Sequence, residues 1–186
     1  MNRKYIHTND RVIVEEIIAT GDYSLYRQIV DNNKNMIFKL CLGFFENKQE
    51  AEDMAQEVFI SAYESLENYA GNSEFSTWLY RVAINVCLNN KRKKKIEKIF
   101  NRVELKENIE SYTQTPECEY IEKEEYDTII SAIANLPNRQ QIAFVLSKYN
   151  DFTQKEIADI MNINEGAVES LLQRAKQNLR KKLNIK

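Results

Sequence analysis

Apolar residues recur at three- and four-residue intervals along most of the chain, and the places where that rhythm fails divide it into segments. Helix-period spacing runs over residues of roughly 10 to 19 (DRVIVEEIIA), 22 to 45, 48 to 69 and 74 to 100. Gly21, the stretch NKQ and the run AGNS separate these segments. The polar stretch VELKENIESYTQTPECEY contains Pro116, lacks sustained periodicity and is predicted to be a linker. Helical spacing then returns near 118 to 135, 138 to 149, 153 to 161 and 165 to 183, with no internal repeat. The expected fold is all-α, two small helical domains joined by a flexible acidic linker. The boundaries read from the pattern are an N-terminal segment with the first helix (1–21), a first domain (22–102), a linker (103–117) and a second domain (118–186).

Local signals sharpen the last two helices. Thr153 with Glu156 forms a capping box, in which each side chain satisfies the other residue's backbone N–H, and Phe152 with Ile157 supplies a hydrophobic staple. Asn164 is a second cap, and Ile163 with Val168 repeats the staple after a tight turn. A helix-turn-helix is therefore predicted over Asp151 to Leu183. At about 100° per residue, Val168, Leu171, Leu172, Ala175 and Leu179 share one stripe of the second helix. Gly166, Ser170, Gln173, Gln177 and Lys181 lie opposite, with Arg174 beside them. Gln and Arg reach base edges bidentately in a major groove, Ser and Lys suit phosphates, and Gly166 lets backbone approach closely. An ordinary solvated helix carries similar residues, so this face alone does not establish DNA binding.

Composition removes other classes. With 43% hydrophobic residues, 4 Gly and 2 Pro, the chain has material for one compact helical domain or two small ones. No apolar run approaches the ~18 residues that would span a bilayer, so no membrane insertion and a cytoplasmic location are expected. Cys41, Cys87 and Cys118 are widely separated with no CxxC spacing, and are read as buried or incidental thiols. His7, in a terminus expected to fray, is the only histidine, and there is no glycine-rich phosphate loop or nucleophile motif. Neither enzymatic activity nor a cofactor is expected.

Charge adds direction. The net of −2 conceals a reversal: residues 91 to 102 hold seven basic groups against one acid, a net of +6. Residues 103 to 127 hold nine acids against two lysines, a net of −7. The helix-turn-helix is also uneven, with −3 over Asp151–Glu165 and +5 over Gly166–Lys186. Ahead of the first basic run stands FSTWLYRVAINVCLNN, with Phe75, Trp78 and Tyr80 as an aromatic cluster. Basic groups beside aromatics can bind phosphates and stack an unpaired base. Core packing accounts for Trp78, which aligns with Val82 at i,i+4, and a helix C-terminus favours cations through its dipole.

Taken in order, AEDMAQEVFISAYESL, then NSEFSTWLYRVAINVCLNNKRKKK, then LPNRQQIAFVLSKYNDFTQKEIADIMNINEGAVESLLQRAKQNLRKKL resemble the two conserved domains of a bacterial RNA polymerase sigma factor of the extracytoplasmic-function group. The resemblance implies an alternative sigma factor whose partners are core RNA polymerase, through the beta-prime clamp helices and the beta subunit, promoter DNA, and an anti-sigma factor. Asp53, Gln56 and Glu57 match the segment that docks on the clamp helices. Ile60 shares their face at 100° per residue and adds an apolar centre to a polar rim. Gly71, Asn72, Ser73, Glu74, Phe75 and Thr77 match the loop that captures a flipped base of the minus-ten element. The helix with Arg81, Asn85, Asn89, Lys91, Arg92 and Lys93 matches its duplex-contacting neighbour. Gly166 to Lys176 match the minus-35 recognition helix.

Two departures accompany the match. Many relatives have a basic residue after the valine of the recognition helix and an arginine two positions on, where this chain has Glu169 and Leu171. The longer middle domain of primary sigma factors is absent. A pI near 5.7 fits a subunit that relies on polymerase for DNA affinity, since a lone DNA binder needs a basic surface. The −7 stretch suits either a channel built to hold nascent RNA or a plain solvated connector. Two rivals remain: a free-standing helix-turn-helix regulator, which leaves the first domain unexplained, and a nucleic-acid enzyme with an appended DNA-binding domain, which lacks a metal or nucleophile motif.

Overall fold

A computed structural model describes residues 3–104 and 128–184, and within them the chain is helical with no strand. Its helices are α1 (Arg3–Thr20), α2 (Tyr26–Leu42), α3 (Lys48–Glu64), α4 (Phe75–Glu104), α5 (128–134), α6 (Asn138–Tyr149), α7 (Gln154–Met161) and α8 (Glu165–Lys182). None is long and apolar enough to cross a membrane.

Each boundary has a local cause. After α1, Gly21 adopts φ +69, a left-handed conformation that glycine reaches without a Cβ clash. Asp22 then caps a short 3-10 turn, its carboxylate accepting from the Ser24 amide at 3.0 Å, and hydrogen bonding from the Ser24 side chain, then from its amide, lowers the Asp22 pKa. Because of that turn α2 starts at Tyr26, four residues later than the apolar rhythm predicts. Asn47 caps α3 by accepting from the Gln49 amide at 2.8 Å. α3 stops at Glu64 instead of continuing to 69, because a second 3-10 turn (Leu66–Asn68) tucks Tyr69 into the core. The Tyr69 hydroxyl donates to the Ser73 carbonyl at 2.6 Å and closes the loop, with Gly71 at φ +68. α1 begins at Arg3, ahead of the predicted start near 10. Of the predicted linker, residues 103 and 104 finish α4, and the rest lies outside the described residues, as do most of the helix expected near 118 to 135 and Cys118.

The first unit is α1 to α4 around one apolar core. Val14, Ile17, Ile29, Ile37, Leu40, Val58 and Leu79 are fully buried there. Asp10 is buried where α1 meets α2, and its carboxylate accepts from Asn32 at 2.7 Å and Asn33 at 2.8 Å, so the buried charge is hydrogen-bonded on both oxygens. Cys41 and Cys87 are buried thiols 3.9 Å apart, and their mutual hydrogen bond, then burial, raises the Cys87 pKa.

In the second unit the predicted capping box is present. Thr153 Oγ1 accepts from the Glu156 amide at 3.3 Å, while the Glu156 carboxylate accepts from the Thr153 amide at 2.8 Å. Asn162 turns the chain at φ 52, ψ 54, and Asn164 caps α8 by accepting from the Ala167 amide at 2.8 Å. Val168, Ala175 and Leu179 are buried and Leu171 and Leu172 half-buried, as the wheel predicts.

The two small helical units that the sequence predicts are present, and their buried apolar residues meet in one continuous cluster. α2 and α4 meet α6 and α7 across a seam. Tyr80 does not join Phe75 and Trp78 as the sequence cluster suggests: Phe75 meets Tyr69 edge-on and packs against Trp78, whereas Tyr80 packs edge-on against Phe152 of the second unit at 4.7 Å. The i,i+5 offset between Phe75 and Tyr80 turns the two rings to different faces of α4.

Thr153→Ala removes one half of the capping box and is expected to lower the stability of the chain by about 1 kcal/mol, read as a shifted midpoint in chemical denaturation with an unchanged slope.

Candidate functional site

Three surfaces carry the residues singled out in the sequence. On α3, the inward stripe of Ala51, Ala55, Val58 and Ala62 is buried, which turns Asp53, Gln56 and Glu57 out to solvent. Ile60 lies among them and is 53% exposed, a branched alkyl group that the fold leaves without cover. Sequence reasoning missed Tyr63, 43% exposed on the same face, whose ring packs against Tyr23 and Tyr26 at 5.0 and 5.1 Å. Its i,i+3 spacing from Ile60 was the available signal.

The second surface is the loop before α4 and α4 itself. Asn72 and Glu74 are exposed, Gly71, Ser73 and Thr77 half-buried. Phe75 is fully buried, so it supports the loop from beneath and is not available to a ligand. Asn85 and Asn89 are exposed on α4, and beyond them Arg92, Lys93 and Lys95 project to solvent. Lys94 instead pairs with Glu50 of α3 and stands 6.0 Å from the centre of the Phe45 ring. Arg81 and Lys91 are turned to the second unit. Arg81 donates to the carbonyls of Ile160 at 3.1 Å and Asp159 at 2.6 Å. Lys91 donates to the Ala134 carbonyl and to Gln141 Oε1, both at 2.7 Å, and its burial lowers the pKa of the ammonium. Nothing in the sequence marks these contacts, because their acceptors are mostly backbone oxygens of residues far along the chain.

The third surface is the outer face of α8. Gly166, Ser170, Gln173, Arg174, Gln177 and Lys181 are all exposed. The Ser170 hydroxyl donates back to the Gly166 carbonyl at 3.0 Å, and Gln173 Nε2 donates to Glu169 at 3.4 Å. Glu169 thus holds the amide of Gln173 from within the same helix. A cleft of about 520 Å³ separates α4 from the second unit, lined by Arg81, Ile84, Leu88, Arg139, Ile142 and Met161 among others. Among the described residues no cluster of His, Cys, Asp and Glu is built to hold a metal ion.

Comparison with known proteins bears on all three surfaces. The family model described as Sigma-70 region 2 matches residues 29–96, and that described as Sigma-70, region 4 matches residues 126–179. The chain is 35% identical over 173 residues to the ECF RNA polymerase sigma factor SigW of Bacillus subtilis, covering 89% of this chain and 92% of that protein. It is 31% identical over 181 residues to the RNA polymerase sigma-H factor of Pseudomonas aeruginosa, covering 94% and 93%. Among solved structures, CnrH in complex with the cytosolic domain of CnrY superposes with a TM-score of 0.67 at 19% identity, over 94% of this chain and 97% of that one. The sigma factor RpoE of Bartonella quintana, in complex with the anti-sigma factor NepR, gives 0.62 at 18% identity, over 86% and 97%. At these identities the two structures establish the fold.

Proposed function

Because the chain belongs to the sigma-70 family of RNA polymerase sigma factors, as an alternative sigma factor of the extracytoplasmic-function group that directs promoter-specific initiation, we propose a division of that work among its three surfaces. The α3 face docks on the beta-prime clamp helices of core polymerase, acting in the cytoplasm and with no turnover of its own. Residues 22–102 handle the minus-ten element and residues 118–186 the minus-35 element, the second unit also meeting the beta subunit.

The observation that carries this reading is Ile60, exposed on the same outer face of α3 as Asp53, Gln56 and Glu57. A small apolar centre ringed by acids and amides has the make-up of a protein interface, in which the carboxylates steer encounter with basic helices and desolvation of the isoleucine adds affinity. For DNA, Asn72, Glu74 and Thr77 at the loop are placed to receive an unstacked base above the buried Phe75. Arg92 and Lys93 meet phosphates, and Gln173 with Arg174 read base edges. An anti-sigma factor is the natural partner for the cleft between the units, since the similar RpoE was solved in complex with the anti-sigma factor NepR. A free-standing helix-turn-helix regulator leaves the region 2 match over residues 29–96 without a role.

Asp53→Lys combined with Glu57→Lys is expected to abolish binding to core polymerase while circular dichroism keeps its helical signal, because exposed charge changes seldom cost much stability. Wild-type affinity of that double variant in a titration with labelled protein would remove polymerase from this face.

Gln173→Ala or Arg174→Ala should each weaken use of the cognate minus-35 sequence by about 1 to 3 kcal/mol, read from polymerase-dependent transcription on promoters differing only there. Full discrimination by both variants would contradict the base-reading assignment.

Neutralising Arg92, Lys93 and Lys95 together is expected to weaken promoter complexes on every promoter and to flatten the dependence of log affinity on log salt by about 0.9 for each phosphate no longer neutralised. An unchanged slope would leave these cations as a solvated helix end.

A further inference from the structure

Cys41 of α2 and Cys87 of α4 are fully buried, and none of the three surfaces uses them. They lie 46 positions apart in sequence, yet their sulfurs face each other at 3.9 Å. A free cysteine in a core is ordinarily a small apolar group, and one thiol alone would need no further account. Two in mutual contact on different helices are another matter, because such a pair can join the helices covalently. A disulfide requires the sulfurs to come about 2 Å closer, a change on the scale of a cysteine rotamer step.

We infer that Cys41 and Cys87 are a reversible oxidation site: hydrogen peroxide converts the two thiols to a disulfide that staples α2 to α4 and braces the first unit. The site is independent of the roles proposed for α3, α4 and α8 toward polymerase and promoter. The Cys41 sulfur attacks the peroxide, the O–O bond breaks, and Cys41 becomes a sulfenic acid as one water is released. The Cys87 sulfur then attacks the sulfenic sulfur, the S–O bond breaks, and the Cys87 proton leaves with the hydroxide as a second water. The thiols give up two electrons and two protons in all, and one peroxide is reduced to two waters. The order follows from the contact between the sulfurs. Its hydrogen bond with Cys41, then burial, raises the Cys87 pKa, so Cys87 keeps its proton and serves as the resolving thiol.

The surroundings suit this product. A disulfide is neutral and apolar, as the core around it requires. A soft metal ion held by two thiolates at the same place would bury negative charge instead. The cation nearest in sequence to Cys87 is Lys91, one turn further along α4, and its ammonium is already committed to the Ala134 carbonyl and Gln141 Oε1. Solvent approaches from the turn that follows α2. The Cys41 carbonyl accepts from the amides of Phe44 at 2.9 Å and Phe45 at 3.1 Å, and these two residues join Lys91 in lining a cleft of about 450 Å³. A water-sized oxidant thus reaches residues that flank both sulfurs, and local opening of that wall sets the rate of oxidation. In a reducing compartment the pair rests as thiols and the disulfide is transient.

The test treats the native full chain with hydrogen peroxide, unfolds it in an alkylating reagent, weighs it whole and maps its peptides. The chain has 3 cysteines, so alkylation is expected to fall from all of them to Cys118 alone, with residues 41 and 87 recovered in one cross-linked peptide. Dithiothreitol restores full alkylation. The denaturation midpoint of the oxidised chain is expected to exceed that of the reduced chain, because the bond closes the loop from 41 to 87 in the unfolded state. Cys41→Ala and Cys87→Ala each abolish this rise, whereas Cys118→Ser keeps it. Cys41 and Cys87 both still alkylated after peroxide, a bond from either to Cys118, or sulfinic acid at either position overturns the assignment. A bond between 41 and 87 with an unmoved midpoint overturns the brace. The mapping is done on the unaltered chain, so it stays decisive should either alanine variant fail to fold.

Discussion

Helix-terminal carbonyls need donors, and in this protein that need decides how the two halves sit. α5 and α7 end facing α4, and Arg81 and Lys91 donate to carbonyls at those ends. A hydrogen bond from a charged donor is roughly twice as strong as a neutral one, and three such bonds to backbone orient one unit on the other. The apolar contacts of the seam, Val145 over Gly43 and Phe152 against Tyr80, are non-directional and would tolerate some rotation between the units. The carbonyl contacts fix the register.

The polar make-up of the seam sets it apart from the core of the first unit. Gln141 and Asn150 are buried side chains that hydrogen-bond to backbone of the other unit. On parting, each would exchange these partners for water at small net cost, since a hydrogen bond contributes about 1 kcal/mol beyond its solvated alternative. A leucine or isoleucine in the same place would favour permanent closure. The first unit, by contrast, is held by apolar contacts among Ile17, Ile29, Ile37, Leu40 and Leu79.

The α3 face follows from the same constraint of burial. Once Ala51, Ala55, Val58 and Ala62 fill the inner stripe, small residues bring α3 close to α2 and α4 and leave no room to fold Ile60 inward. Its exposure follows from tight packing on the opposite side of the helix, and the acids around it keep it soluble until a partner covers it.

Much of this was legible from residue order because it depends on neighbours three and four positions apart. The helical class, the Thr153–Glu156 capping box, the Asn164 cap, the inward stripe of α8 and the outward Ile60 all follow from local chemistry and a 100° rotation per residue. Helix boundaries were less legible where a 3-10 turn intervened, as at Asp22 before α2 and Ser65 after α3, because a few side-chain hydrogen bonds outweigh the apolar rhythm there. The fate of Arg81, Lys91, Phe75 and Tyr80 was not legible at all. Each looked from the sequence like part of one aromatic and basic surface, yet Phe75 supports the loop from inside, Tyr80 meets Phe152, and the two cations meet backbone oxygens some 40 to 80 positions away. Backbone carbonyls carry no residue signature, so a contact between a side chain and a distant helix end leaves no pattern in the sequence, and only the packed chain determines which donors remain for a ligand.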